Sequence, residues 1–217
     1  MANAAIRSGR HADDARLVAV TKYAEVDEIR AVLAAGVRDV GESRPQQLWQ
    51  RAETLAETPA RWHLIGHWQR NKIRRALPHV TLLHAGDSLR LLAAVSEESI
   101  TAGRVLDVLL EVNISGDASK HGFAPAELEP LLPQLAALAG IRVRGLMAMS
   151  GLASDDDQKR GEFAAVRALR DRLARVSPAG LEWHELSLGM SDDFELAIEE
   201  GATCVRVGSA LFAGLES

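Results

Sequence analysis

The sequence predicts an α/β protein, a single TIM-type (β/α)8 barrel spanning residues 1–217. Three observations carry that expectation. Eight short apolar runs with β-branched residues recur along the chain. Several of them lack polar alternation, as strands buried on both faces of a parallel sheet should. Amphipathic helical stretches lie between them, so strand and helix alternate throughout.

The strand candidates are 17–20, 38–41, 62–66, 80–84, 105–114, 141–149, 184–189 and 203–207. Between the first two, Val26, Ile29, Val32 and Leu33 form a stripe at three-to-four spacing, closed by Gly36 as a C-terminal stop. Leu128, Leu131, Leu132, Leu135 and Leu138 form another stripe, and Phe163, Val166, Leu169, Leu173 and Val176 a third. Phe194, Ala197 and Ile198 before Gly201 mark a short fourth. Right-handed crossovers leave an open doubly wound sheet or a barrel, and eight units favour the barrel. With 217 residues against about 250 for a typical barrel, the units must be compact. No repeat, low-complexity tract or linker marks a domain boundary, and 150–157 reads as an exposed acidic loop.

Composition narrows the class of function. The net charge is −5 and no basic cluster recurs at helical spacing, so neither a nucleic-acid footprint nor a polybasic membrane anchor is expected. Cys204 is the only cysteine, which excludes an intrachain disulfide and a Cys-rich metal site and fits a reducing, cytoplasmic setting. Residues 1–14 are polar and small, without the apolar core of a signal peptide, and no apolar run approaches membrane-spanning length. A small-molecule partner and a monomer are expected.

Of the four lysines, Lys72, Lys120 and Lys159 sit among polar or charged neighbours. Lys22 ends the apolar run Leu17-Val18-Ala19-Val20-Thr21, with Val18, Val20 and Lys22 on one strand face. Active sites of this fold assemble at the C-terminal ends of the strands. A lysine there, partly desolvated and therefore neutral more often, is suited to forming an imine with an aldehyde. A lysine that simply snorkels to solvent is the alternative.

Ser191, followed by Asp192 and Asp193, reads either as the N-cap of the next helix or as part of an anion site. Gly208 and Ser209 follow the last strand. Barrels commonly bind phosphate with the loops after strands seven and eight, where Ser191 and Gly208-Ser209 both fall. Arg206 would add a fixed cation to the same mouth, or form a buried structural ion pair. His63, His84, Asp87, Asn113 and Ser115 lie at predicted strand ends. A His84–Asp87 pair could do acid–base work, although turn capping and core hydrogen bonding explain such pairs more often. The histidines are scattered without ligand spacing, so no metal is expected.

These residues bring a resemblance into view. Ala19-Val20-Thr21-Lys22, Gly41-Glu42-Ser43, Trp62-His63-Leu64-Ile65-Gly66 with Gln69 and Asn71-Lys72, and Val112-Asn113-Ile114-Ser115 with Ser119-Lys120-His121-Gly122 carry its first half. Gly145-Leu146-Met147, Leu188-Gly189-Met190-Ser191-Asp192-Asp193 and Val205-Arg206-Val207-Gly208 complete it. In this order, over nearly the whole chain, they resemble the YggS/PROSC family of pyridoxal phosphate homeostasis proteins, whose fold is similar to the N-terminal barrel of alanine racemases, the fold-type III arrangement.

The resemblance implies pyridoxal 5′-phosphate as cofactor, held as a Schiff base on Lys22. It implies that Ser191, Gly208 and Ser209 hold the phosphate, that Arg206 faces the pyridine nitrogen, and that Met147 lies near the ring. The chain departs from the family where Ser43 stands in place of an asparagine, which would remove or replace by water a contact to the cofactor. It departs again at Trp68, in place of a leucine, and in a short N-terminal segment that leaves closure of the barrel's far end open.

The expected function is cofactor binding in vitamin B6 and amino-acid homeostasis without catalytic turnover, with pyridoxal phosphate-dependent apo-enzymes as candidate partners. A guanidinium opposite the ring keeps its nitrogen neutral and the ring a poor electron sink. Racemisation, the alternative, needs a second base. The only tyrosine, Tyr23, should point away from Lys22 if the strand continues extended, and no residues remain for a second domain.

Overall fold

A computed structural model describes residues 1–117, 120–151 and 153–213; Ser119 of the 119–122 motif and Leu152 of the 150–157 segment lie outside them. The eight predicted strands form one closed, all-parallel barrel in sequence order. They are β1 (Arg16–Val20), β2 (Asp39–Glu42), β3 (Arg61–Leu64), β4 (Val80–Gly86), β5 (Leu106–Val112), β6 (Ile141–Ala148), β7 (Glu185–Ser187) and β8 (Cys204–Val207). The helices are α1 (Ala2–Arg7), α2 (Val26–Ala34), α3 (Pro45–Thr54), α4 (Ile73–Ala76), α5 (Leu89–Thr101), α6 (Pro125–Ala136), α7 (Asp156–Val176), α8 (Phe194–Glu199) and α9 (Ser209–Phe212). Compactness comes from the three-residue β7 and the short α8 and α9.

The helical stripes bury as their spacing requires: Ile29 and Leu33 on α2, Leu128, Leu132 and Leu135 on α6, and Phe163, Val166, Leu169 and Leu173 on α7. Val176, the last member of its stripe, is half exposed. The segment 150–157 is not all loop. Asp155 caps α7 by accepting from the Gln158 backbone N–H, and Gln158 returns the bond, so Asp156 and Asp157 form the first helical turn, at the positive end of its dipole.

The short N-terminal segment is docked against α8. Ala4 and Ala5 of α1 are fully buried. The Arg7 guanidinium donates to Glu195 and Glu199 of α8, and Arg10 donates to the Ile198 and Ala202 carbonyls where α8 ends. The last carbonyls of α8 thus gain the partners that helix termini lack.

Between β5 and β6 the register shifts from Val108↔Val143 to Leu109↔Gly145, so Arg144 is an extra residue. Gly145 follows it at φ +151°, and a Cβ there would lie 1.9 Å from the Glu185 carbonyl oxygen of β7. Gly145→Ala should therefore cost about 3 kcal/mol through strain and overpacking, lowering Tm by about 6–12 °C. Gly36 has positive φ but open space around it, and Gly36→Ala should cost only about 1 kcal/mol. Equal thermal shifts for the two variants would refute the packing argument at Gly145.

Candidate functional site

Of the predicted site residues, Lys22 follows β1, Ser191 follows β7, and Arg206, Gly208 and Ser209 lie on or just after β8, which pairs with both of those strands, whereas Ser43 follows β2 and Met147 lies on β6. Val18 pairs with Arg206 and Ala19 with Val207, so the end of β1 abuts the turn after β8. A Cβ on Gly208 would lie 3.2 Å from Val20 Cβ, a tight contact that a glycine avoids. Lys22 follows two residues beyond Val20.

Lys22 sits in a turn rather than at the end of an extended strand, which overturns two expectations. Its side chain is exposed rather than partly desolvated. Tyr23 shares its side of the chain: the Lys22 ammonium is 4.9 Å from the Tyr23 ring centroid, and Tyr23 is 87% exposed. Among the described residues, that ring is the only interaction recorded for the Lys22 ammonium.

The turn itself is braced from below. Arg51 on α3 donates to the Thr21 and Ala24 carbonyls at 2.5 Å each, bracketing Lys22 and Tyr23. It also donates to Glu42 Oε1, which accepts from the Thr21 hydroxyl at 2.5 Å. Glu42 is fully buried, and its other oxygen has no hydrogen-bond partner among the described residues. Burial raises its pKa above the usual carboxylate value, and Thr21 and Arg51 offset this only in part.

Ser191 does not cap α8, whose N-cap is Asp193. Its hydroxyl instead accepts from the Gly208 and Ala210 backbone N–H groups, at 3.2 and 3.3 Å, so that it ties the β7 loop to the β8 turn. Asp193 turns aside, accepting from Met190 N and the Ser150 hydroxyl, and Asp192 is exposed. Ser209 is exposed and Ser43 half-buried, with the Ser43 backbone packed against Gly66.

Arg206 is 4% exposed, and among the described residues no carboxylate lies within hydrogen-bonding distance of it, so the structural ion pair considered for it is not found there. Nη1 donates to the Ser187 carbonyl at 2.7 Å and to its hydroxyl at 2.5 Å, and Nη2 to the Ala148 carbonyl at 3.0 Å. Burial lowers its pKa, yet a guanidinium remains charged at neutral pH. Met147, 1% exposed, is paired in register with Glu111 of β5 and Ser187 of β7, and shares their face of the sheet.

His84 and Asp87 do not pair. His84 is fully buried between His63 and Ser187, whereas Asp87 accepts from or is bonded to His67 Nδ1 at 2.7 Å, with His67 stacked on His121. Asp39, Glu111 and Ser187 carried no sequence signal, since each gains its surroundings only from neighbouring strands. Glu111 is 7% exposed beneath the β5 loop; burial and then Asp87 raise its pKa.

Glu42→Ala should leave Arg51 with a charge that has lost its partner beside the Lys22 turn. The expected cost is about 3 kcal/mol in urea unfolding. Glu42→Gln keeps an acceptor for Thr21 and Arg51 and should cost far less; equal losses would refute the bracing assigned to this pair.

The whole chain has counterparts among known proteins. Residues 2–216 match the family model of the alanine racemase N-terminal domain. A pyridoxal phosphate homeostasis protein of Deinococcus radiodurans is 41% identical over 208 residues, covering 95% of this chain and 93% of the relative. One of Pseudomonas aeruginosa is 40% identical over 209 residues, covering 96% and 88%. PipY of Synechococcus elongatus, solved with pyridoxal phosphate bound, superposes with a TM-score of 0.87 at 34% identity, covering 97% of this chain and 98% of PipY. The chain belongs to the alanine racemase N-terminal domain family, in the branch of the pyridoxal phosphate homeostasis proteins.

Proposed function

We propose that this protein binds pyridoxal 5′-phosphate at the mouth of its barrel and holds it for vitamin B6 and amino-acid homeostasis rather than turning over a substrate. The observation that supports this reading is the β1–β8 register, which pairs Ala19 with Val207 and so brings the chain leading to Lys22 alongside the strand that carries the buried Arg206 and runs into the Gly208 turn. The cofactor-bound PipY and the homeostasis relatives support it.

The residues fit the group. Bound at the mouth, it supplies an aldehyde that a neutral lysine amine can capture as an imine. Lys22 is the residue for that bond. Ser191, Gly208 and Ser209 offer two hydroxyls and backbone N–H groups to the phosphate, with Asp193 turned away. Arg206, permanently cationic, takes the position opposite the ring nitrogen and disfavours its protonation, so the ring remains a weak electron sink. Ser43 and Met147 lie beside the ring, the shorter serine leaving room for water. Tyr23 is too exposed to be held as a second base. The protein acts as a cytoplasmic monomer, and pyridoxal phosphate-dependent apo-enzymes are its recipients.

Lys22→Ala should remove the label that borohydride fixes on the wild type, with unchanged far-UV circular dichroism. Label on Lys72, Lys120 or Lys159 in the variant at wild-type yield would refute the assignment. Sustained α-proton exchange of an L-amino acid in deuterated water by the loaded wild type would favour the racemase reading instead.

Ser191→Ala should weaken pyridoxal phosphate binding roughly tenfold to a hundredfold, the cost of one hydrogen bond to a charged group. Pyridoxal, which lacks the phosphate, should bind both proteins alike. Equal losses for the two ligands would show that Ser191 does not hold the phosphate.

A further inference from the structure

Inside the barrel a chain of hydrogen bonds runs from Arg206 to Asp39. The Arg206 guanidinium donates to the Ser187 hydroxyl at 2.5 Å. Ser187 Oγ lies 2.9 Å from His84 Nδ1, His84 Nε2 lies 2.9 Å from His63 Nδ1, and His63 Nε2 lies 3.0 Å from Asp39 Oδ1. Asp39, His63, His84, Ser187 and Arg206 are all 5% exposed or less, and they come from five strands. Arg61, on the surface, donates to the other Asp39 oxygen at 2.6 Å.

The two ends fix the protons between them. An ionised carboxylate only accepts and a guanidinium only donates. Asp39 therefore requires a proton on His63 Nε2. If His63 is neutral, its Nδ1 must accept, which puts the His84 proton on Nε2 and leaves His84 Nδ1 to accept from the Ser187 hydroxyl. Ser187 Oγ then accepts from Arg206. The only other order has a doubly protonated His63 and reverses every bond from there to Ser187.

The surroundings select the first order. Burial lowers the pKa of His63, with Asp39 offsetting this in part, and burial, His63, Arg206 and Arg16 hold that of His84 well below 6.5. Although burial raises that of Asp39, His63 and Arg61 outweigh it and keep the carboxyl ionised. Arg16, the nearby cation on β1, is bonded to Glu185 and adds no proton to the chain.

We propose that Asp39, His63, His84 and Ser187 are positioning residues for Arg206: a hydrogen-bond chain polarised in one direction that fixes the guanidinium and tunes its donation to the acceptor in the mouth. Three of the five guanidinium N–H groups are taken by Ser187 and Ala148, and among the described residues the other two have no partner, which leaves a donor for that acceptor. The link to Asp39 adds to the stabilisation of a charge toward which Asp193 and Glu111 act through space without hydrogen-bonding to it. The effect on the cofactor rests on the reading that Arg206 faces its ring nitrogen; the proton order does not.

The test has two parts. In ligand-free protein labelled with [15N]histidine, NMR should show His63 and His84 both neutral and protonated on Nε2; a protonated His63 or an Nδ1–H tautomer at either ring overturns the proposal. With pyridoxal phosphate carrying 15N in the ring, His84→Leu should shift the ring-nitrogen resonance of the bound cofactor and weaken binding about tenfold. His84→Gln should restore both, because an amide can accept from Ser187 while donating to His63. Ser187→Ala serves the same purpose as His84→Leu if that variant does not fold. Wild-type resonance and affinity in a folded His84→Leu or Ser187→Ala protein would overturn the positioning role. Failure of wild-type protein to bind the cofactor would instead overturn the proposed function, and the tautomers would still decide the proton order.

Discussion

A buried guanidinium is the interaction around which the barrel is organised. Desolvating a cation costs several kcal/mol unless its N–H groups find acceptors. Arg206 finds them on β7 and at the end of β6, and its backbone is paired with Val18 of β1, so one side chain unites the strands where the sheet closes. Inward positions of such barrels are ordinarily filled by branched aliphatic layers. Here Asp39, His63, His84 and Ser187 take inward positions. The aliphatic residues that fill the rest of the core lie largely between sheet and helices, as with Leu48 and Leu55 of the α3 region and Phe163 of α7.

The eight strands were legible because continuous Val, Ile and Leu runs mark strands covered on both faces, and several helices because their stripes keep a 3.6-residue period. Other features were not. A helix as short as α1 is unstable alone and forms only by docking Ala4, Ala5 and Arg10 on α8, a contact across the chain's length. Ser191 before two aspartates carries a local capping signal, yet its hydroxyl is claimed by N–H groups seventeen and nineteen residues further on, which only barrel closure brings near. The Asp39-to-Arg206 chain has no sequence spacing, since its members meet across strands. His84 and Asp87, close in sequence, were set apart by the same geometry.

The mouth combines two mechanical characters. Arg206 is locked by bonds into the core, whereas Lys22 stands in solvent on a turn whose backbone, but not its side chain, is fixed by Arg51 and Glu42. Such a division is what the proposed cofactor site requires, with one group held rigidly and an accessible amine beside it. The Tyr23 ring lies against that amine without burying it.

Closure of the sheet has one more consequence. Every strand of the barrel has a neighbour on each side, so no row of backbone N–H and C=O groups is left to template an added strand. Edge-to-edge recruitment, whether in aggregation or in β-augmentation by a peptide, has no foothold on this sheet. Whatever protein meets this one must therefore recognise it through side chains of the helical shell or through the loops around the mouth.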